Sequence, residues 1–539
     1  MLARYCLFLV ALGYGGAAQS FEPEHFSVID ALFAHGVNIS EVPGLANLYK
    51  RGSTTACIDA CNAFVVIYGS DTVYNRDEPL YENFTSSYWS AFQADVKPGC
   101  VFSPTDAAAV SVAVLISRFS QCPFAVKSGG HAAFAGASSI DGGITISLKD
   151  LNTIELSEDK VTASIGPGNT WGKIYSTLEQ ENLSVIGGRV ADIGIGGLTT
   201  GGGISFFSNI YGWACDNVAS YDVVTACGNI VHASPTEHPD LYWALRGGGN
   251  NFGIVVNFNL ETLPLPGGEI WGGSRVYLED SFPALVDAFA DYAIRSPEDP
   301  YAGAWLAMGV SNGTKLASAE LWYAAPNAQN ASIFNKWNNI ASIQDVVQNR
   351  ILSELTNEIA SSNPYGLREL YYTITVKASS DILPVVMKIY FEELSTLLKI
   401  DGAAPYMIWQ AITHGVLGAM AKNGGNPLGL NSHDGPFYLI HISSWWNQEK
   451  DDAAMYQGIS TIMSRINSEA VNRGLETDYV YMNYASRFQD VIASYSSENK
   501  EKLQSIARKY DPEQVFQVLQ PGYFKLDRAP SPDLGYFSF

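Results

Sequence analysis

Between residues 128 and 253 the chain carries three clusters of glycine that set tight limits on its fold. The first, Ser128-Gly129-Gly130-His131, follows a short apolar run, Phe124 to Lys127, that reads as a buried strand. The second is Gly194-Ile195-Gly196-Gly197, continued by Gly201-Gly202-Gly203; the third is Gly247-Gly248-Gly249, with Gly253 just beyond. Glycine reaches positive φ without steric cost and brings backbone N–H groups close to a ligand. Consecutive N–H groups in such turns form concave sites for phosphate oxygens. The clusters point to a pyrophosphate or another flat, anionic ligand, with tight turns in a twisted β-structure as the alternative. The parallel βαβ dinucleotide fingerprint is missing: no Gly-x-Gly-x-x-Gly follows the first strand with an acidic residue ~20 positions on. There is no Lys-Ser/Thr ending of a P-loop, no Gly-x-Ser-x-Gly elbow and no His-Glu-x-x-His. The hydrolase and zinc-protease readings lose their main support.

Around the clusters the pattern is α+β. Ser103 reads as an N-cap, with Pro104 at the first helical position and an apolar helix through Phe119, ended by Gln121-Cys122-Pro123. Ile144 to Leu148 and Val161 to Ile165 read as strands, and Asn169 as the cap of a helix running to Gln180. Tyr221 to Ala226 and Ile230 to Ala233 flank Cys227-Gly228-Asn229, a hairpin signal. Pro239 starts a short helix, and Gly253 to Thr262 reads as a long strand. Pro264-Leu265-Pro266-Gly267-Gly268 marks a domain boundary. The expected division is a leader over 1–20, a lead-in over 21–94, a glycine-loop domain over 95–266, a second domain over 267–478 and a closing segment over 479–539.

The start of the chain reads as an address. Arg4 gives a positive start, Cys6 to Gly13 an apolar run, and Gly16-Ala17-Ala18-Gln19-Ser20 the small residues of a cleavage site. No other stretch has the ~20 apolar residues needed to span a bilayer. Sequons stand at Asn38, Asn83, Asn182, Asn312 and Asn330, the pattern of a glycosylated export product. Without Cys6, Cys57, Cys61, Cys100, Cys122, Cys215 and Cys227 remain, an even number that permits up to three disulfides of unassigned pairing. Cys57 and Cys61 lack a second Cys or His pair at matching spacing, so no metal site is expected. A net charge of −22 without a basic run argues against a nucleic-acid partner.

The motifs in their order closely resemble the FAD-binding domain of the berberine-bridge-enzyme-like oxidases, within the vanillyl-alcohol-oxidase superfamily. The resemblance runs through Lys127-Ser128-Gly129-Gly130-His131, Gly194 to Gly203, Asp216-Asn217-Val218, Pro239 to Gly249 and Phe252-Gly253-Ile254-Val255. It resumes in Tyr481-Met482-Asn483-Tyr484, Lys509-Tyr510-Asp511-Pro512 and Phe516. What it implies is a PCMH-type FAD domain in two parts, a substrate domain on an antiparallel sheet, and a tail returning to the FAD domain. It also implies FAD held by Ser128, Gly129, Gly130, Gly194, Gly196, Gly197, Gly201, Gly202, Gly203, Gly253, Ile254 and Asn483. His131 matches the histidine that such enzymes bond to the 8α carbon of the flavin. Some relatives add a second bond from a cysteine; here Val190 stands at that position, so a single tether is expected.

The resemblance implies hydride transfer from a small organic substrate to the flavin, a protein base taking a proton, and reoxidation by dioxygen. Tyr481 and Tyr484 are the candidates for base or orienting group. If their segment is a strand, Tyr481 and Asn483 share one face and need not act with Tyr484. A tyrosine, with a pKa near ~10, serves as a base only beside a cation or the flavin. Tyr371, Tyr372, Trp409, Gln410 and His414 are further candidates, whereas Trp445 and Trp446 read as core. The expected activity is oxidation of a secondary metabolite. A carbohydrate oxidase is one alternative; a flavin-bearing non-redox cyclase or a non-catalytic secreted glycoprotein is the other.

Overall fold

The computed structural model describes residues 20–51 and 55–532, so the expected leader lies almost wholly outside the described residues. The chain forms three sheets in succession. In the first, the strands Val73–Asn75, Cys100–Phe102, Ile144–Ser147 and Phe124–Lys127 lie side by side in that order. The last three run parallel, and the helix Ala107–Ser120 connects Cys100–Phe102 to Phe124–Lys127. A βαβ crossover is therefore present without the dinucleotide fingerprint.

The helix starts later than the sequence suggests. Asp106, not Ser103, is its N-cap and accepts from the Ala109 N–H at 2.8 Å, while the Ser103 hydroxyl donates to Asp150. Asn169 likewise yields the cap position to Thr170, because its amide is drawn to the carbonyls of Thr153 and Gly166; the α-helix then runs only over Trp171–Leu178. The lead-in is not separate. Val73–Asn75 joins the first sheet, and the helix Ala56–Tyr68 is stitched to it by disulfides Cys57–Cys122 and Cys61–Cys100. Cys215 and Cys227 are buried free thiols.

The second sheet is antiparallel and centred on the long strand Ile254–Pro264, which pairs with Thr162–Ile165 on one side and Val218–Val224 on the other. Val218–Val224 turns back on Ile230–Ala233 as the expected hairpin. The chain passes through a short turn at Pro266–Gly268 into Glu269–Leu278, the first strand of an eight-stranded antiparallel sheet. Helices Phe282–Arg295, Ile382–Leu397 and Asp452–Asn472 bury the apolar side chains of one face of that sheet. The other face turns towards the glycine loops. The tail then returns: the helix Ser497–Tyr510 packs on Pro239–Leu245, and Phe516 enters the core of the first sheet. No helix among the described residues is long and apolar enough to cross a membrane.

Candidate active site

A cavity of about 370 Å³ opens where the glycine loops, the large sheet and the tail meet. Ser128, Gly129, Gly130 and His131 line it with Gly194, Gly196 and Gly197, and Gly253 and Ile254 form part of its floor. The two loops touch through their backbones. A Cβ on Gly129 would run into the Gly194 N–H, and one on Gly194 into Gly129. The Ser128 hydroxyl pins the junction, donating to the Pro167 carbonyl at 2.6 Å and accepting from the Gly196 N–H at 3.2 Å. Gly130, at φ +73°, makes the turn that delivers His131, with Lys127 and Tyr88 filling the space a side chain would need.

His131 is enclosed. Its ring stacks on Trp89 at 4.1 Å and 11°, and Trp89 stacks in turn on Tyr371 at 5.5 Å. Burial pulls the imidazole pKa down to about 4, so the ring is neutral near pH 7. Its Nε2 is buried without a hydrogen-bond partner. Such an atom is costly to leave unmet, and the residue that carries it lines the cavity.

The opposite wall comes from the large sheet, and strand alternation decides what reaches it. On Arg368–Lys377, Tyr371 faces the cavity while Tyr372 is buried among the helices; on Tyr406–Ile412, Gln410 faces the cavity and Trp409 the helices. His441 and Ser443 enter in the same way from Phe437–Trp446. His414 is exposed at the start of a helix and away from the lining. Trp446 is core, with its N–H on Asp452, and Trp445 packs on Tyr406.

The tail divides the two expected tyrosines by role. Its segment is a helical turn, Met482–Tyr484, rather than a strand, so Tyr481 and Tyr484 meet edge to face at 4.9 Å. The Tyr481 hydroxyl accepts from the N–H groups of Gly203 and Ile204 and from the Asn483 amide. Burial, reinforced by the neighbouring Tyr484, pushes its pKa up, which keeps it a phenol. Asn483 also donates to the Leu198 carbonyl, fastening the tail to the second loop. Tyr484 lies open to the cavity. Its hydroxyl accepts from Arg189 Nη2 at 3.0 Å, and its ring stacks on His441 at 4.2 Å. Burial, then the Arg189 charge, lowers the His441 pKa to about 3, so that imidazole stays neutral.

The structure thus gathers Ser128, Gly129, Gly130, His131, Gly194, Gly196, Gly197, Gly253, Ile254, Tyr481, Asn483 and Tyr484 around one space. It does not bring Gly201, Gly202 and Gly203 there. They lie behind the second loop, where side chains would strike Asn483, Trp213, Tyr481 and Leu198. Asp216 and Arg246, from the other motifs, form a fully buried ion pair, and Arg246 also donates to the carbonyls of Cys215, Lys422, Asn423 and Gly425. Asn83, Asn182, Asn312 and Asn330 are exposed and Asn38 is half-buried. Sequence reasoning passed over Trp89, Arg189 and His441. Arg189 stands beside Val190, the position already singled out, and His441 and Ser443 are polar residues two apart on a strand whose only other polar side chain besides Tyr438 is Ser444, a legible period-2 signal.

Glu369 shares the Tyr371 face of its strand and is buried with neither oxygen hydrogen-bonded. Burial pushes its pKa up to about 9. The native state therefore keeps a proton that the unfolded chain loses above pH ~4.5, so stability falls as pH rises from there through 9. Glu369→Gln removes this term. Melting scans at pH 6 and pH 9 are expected to show a gap a few degrees narrower in the variant than in the wild type.

A family model for an FAD binding domain matches residues 98–234. The chain is 36% identical over 496 residues to the FAD-dependent monooxygenase tpcD of Cochliobolus heterostrophus, covering 88% of this chain and 95% of that one. It is 32% identical over 498 residues to the bifunctional solanapyrone synthase of Alternaria solani, covering 92% and 93%. Among solved structures, the glucooligosaccharide oxidase of Acremonium strictum superposes with a TM-score of 0.72 at 20% identity, over 88% of this chain and 99% of that one. Berberine bridge enzyme in complex with (S)-reticuline superposes with a TM-score of 0.70 at 16% identity, over 85% and 97%.

Proposed function

The chain belongs to the berberine-bridge-enzyme-like FAD-linked oxidoreductases, and from that premise we propose that it oxidises a small secondary metabolite with FAD tethered to His131. The observation that carries this reading is the pairing of two features across one cavity. On one side is a buried imidazole nitrogen without a partner; on the other, a tyrosine hydroxyl held by a guanidinium.

The residues fit the cofactor. The loops at Gly129 and Gly194 leave no room for side chains, which suits close backbone approach to a pyrophosphate, and Gly197 has open space where a Cβ would stand. His131 is the tether, and the Trp89 stack holds its ring plane. Gly201, Gly202 and Gly203 support the loop through Tyr481. Val190 lines the cavity and has no sulfur, so one bond is made. FAD, when bound, supplies the hydride acceptor at its N5, and dioxygen returns it to the oxidised form with release of hydrogen peroxide.

The protein's share is positioning and proton transfer. To act as the base, Tyr484 takes the proton from the substrate O–H as a phenolate and becomes a phenol; the Arg189 guanidinium donates to that oxygen beforehand and supports its negative charge, because a charged donor bonds an anion more strongly than a neutral acceptor. Neutral His441 holds the Tyr484 ring from its face. Two curated relatives above 30% identity bear the names solanapyrone synthase and FAD-dependent monooxygenase, which supports a metabolite rather than a sugar as substrate. Export and glycosylation belong to the same proposal: the leader over 1–20, two disulfides and four exposed sequons all suit an oxidising compartment. Anaerobic addition of polyketide or alkaloid candidates tests it. Bleaching of the flavin by one of them, and peroxide on admission of air, are expected; a panel in which only oligosaccharides bleach it refutes the metabolite reading.

A further inference from the structure

We propose that Arg189 is an anion-docking residue and that the substrate carries an acidic O–H, carboxylic, enolic or phenolic, bound as a planar oxyanion. The inference rests on the reading of the cavity as a substrate site and deepens it by naming the substrate class.

Five arginines are buried among the described residues: Arg118, Arg189, Arg246, Arg275 and Arg368. Four of them hold a carboxylate: Arg118 pairs with Glu22, Arg246 with Asp216, Arg275 with Asp345 and Arg368 with Asp452. Arg189, 7% exposed, has no carboxylate within ion-pair distance among the described residues. A guanidinium taken out of water without a counter-charge is expensive, and protein interiors rarely leave one so. What surrounds it is neutral. Nη2 donates to the Gln410 side-chain oxygen at 2.6 Å and to Tyr484, and the cation lies 4.7 Å from the Trp305 ring and 5.9 Å from that of Trp322.

The nearest candidate for a counter-charge is Glu320, opposite Trp305 on the adjacent strand. Its carboxyl is buried with Oε1 unpartnered, and burial, then the charge of Glu358, raises its pKa to about 8, so it is protonated near pH 7. Buried among neutral partners and without an ion pair, Arg189 lines the cavity, and a counter-charge can reach it from there. Nε and Nη1 have no hydrogen-bond partner among the described residues, and a guanidinium edge matches the two oxygens of a carboxylate or of an enolised dicarbonyl. Trp305, Ile408 and Tyr371 supply flat, apolar walls for the rest of such a molecule.

The test is isothermal titration of the flavin-loaded protein with benzoate, a planar carboxylate, and with benzamide, its neutral counterpart. The wild type is expected to bind benzoate about ten-fold or more tighter than benzamide. Arg189→Gln should erase that preference, and Arg189→Lys, which keeps the charge but not the fork, should retain part of it. Equal affinities in the wild type, no benzoate binding, or a preference that survives Arg189→Gln overturns the proposal. If Arg189→Gln does not fold, the wild-type comparison and the lysine variant decide. The readout is heat and needs no turnover, so a failed anion preference leaves the oxidase reading untouched, and absent flavin bleaching leaves the anion site untouched.

Discussion

Tyr484→Phe is expected to lower kcat by about 10²–10⁴-fold, the range for loss of a positioned acid–base group, while the protein remains folded and flavin-loaded. The reasoning is local. Tyr484 lines the cavity, held by Arg189 on the oxygen and by His441 on the ring face. Phenylalanine keeps the ring and its stack but removes the atom that receives the proton. Tyr481→Phe provides the contrast. That hydroxyl is engaged by Gly203, Ile204 and Asn483, so its loss should lower the melting temperature and loosen the second loop, with a much smaller effect on kcat. Stopped-flow measurement of flavin bleaching under anaerobic conditions separates the two. If Tyr484→Phe bleaches at the wild-type rate, the proton goes elsewhere.

The second large effect is at His131. His131→Ala is expected to release the flavin: acid precipitation should leave the variant chain colourless and put free FAD in the supernatant, while the wild-type chain stays yellow. Loop collapse does not account for this, because Ser128 and the Gly129–Gly194 contact hold the loops together without the imidazole. His131→Ala should therefore still bind FAD reversibly, and added FAD should restore colour to the native variant. A variant unable to take up FAD at all would assign His131 to building the loop, not to tethering.

Much of this site was legible in the sequence because it depends on backbone. Glycine at 129, 194 and 196 is demanded by close approach and at 130 by a positive φ, and both demands leave a one-dimensional trace in the chain. Gly201, Gly202 and Gly203 carry the same trace for a different reason, the packing of the tail against the back of the loop, and composition does not separate the two causes. The substrate wall was less legible because it depends on which residues of a strand point inward. Tyr371 and Tyr372 are chemically identical and adjacent, yet one stacks on Trp89 and the other is buried under helices. Arg189 was hidden by its context: an arginine reads as surface until the fold buries it with no carboxylate in ion-pair distance among the described residues. Trp89, from the lead-in, meets His131 only through the first sheet, a contact between distant residues that no local pattern encodes. The caps at Ser103 and Asn169 were misplaced because the fold drew each side chain to a partner outside its helix, Asp150 in one case and the Thr153 and Gly166 carbonyls in the other.

The most direct measurement is mass analysis of the proteolytic fragment that contains His131, taken from purified protein denatured in acid. The account requires this fragment to carry the mass of FAD and its visible absorbance, with the modification on the imidazole and none on the fragment containing Val190. An unmodified His131 fragment, with all the flavin recovered free in solution, would contradict it.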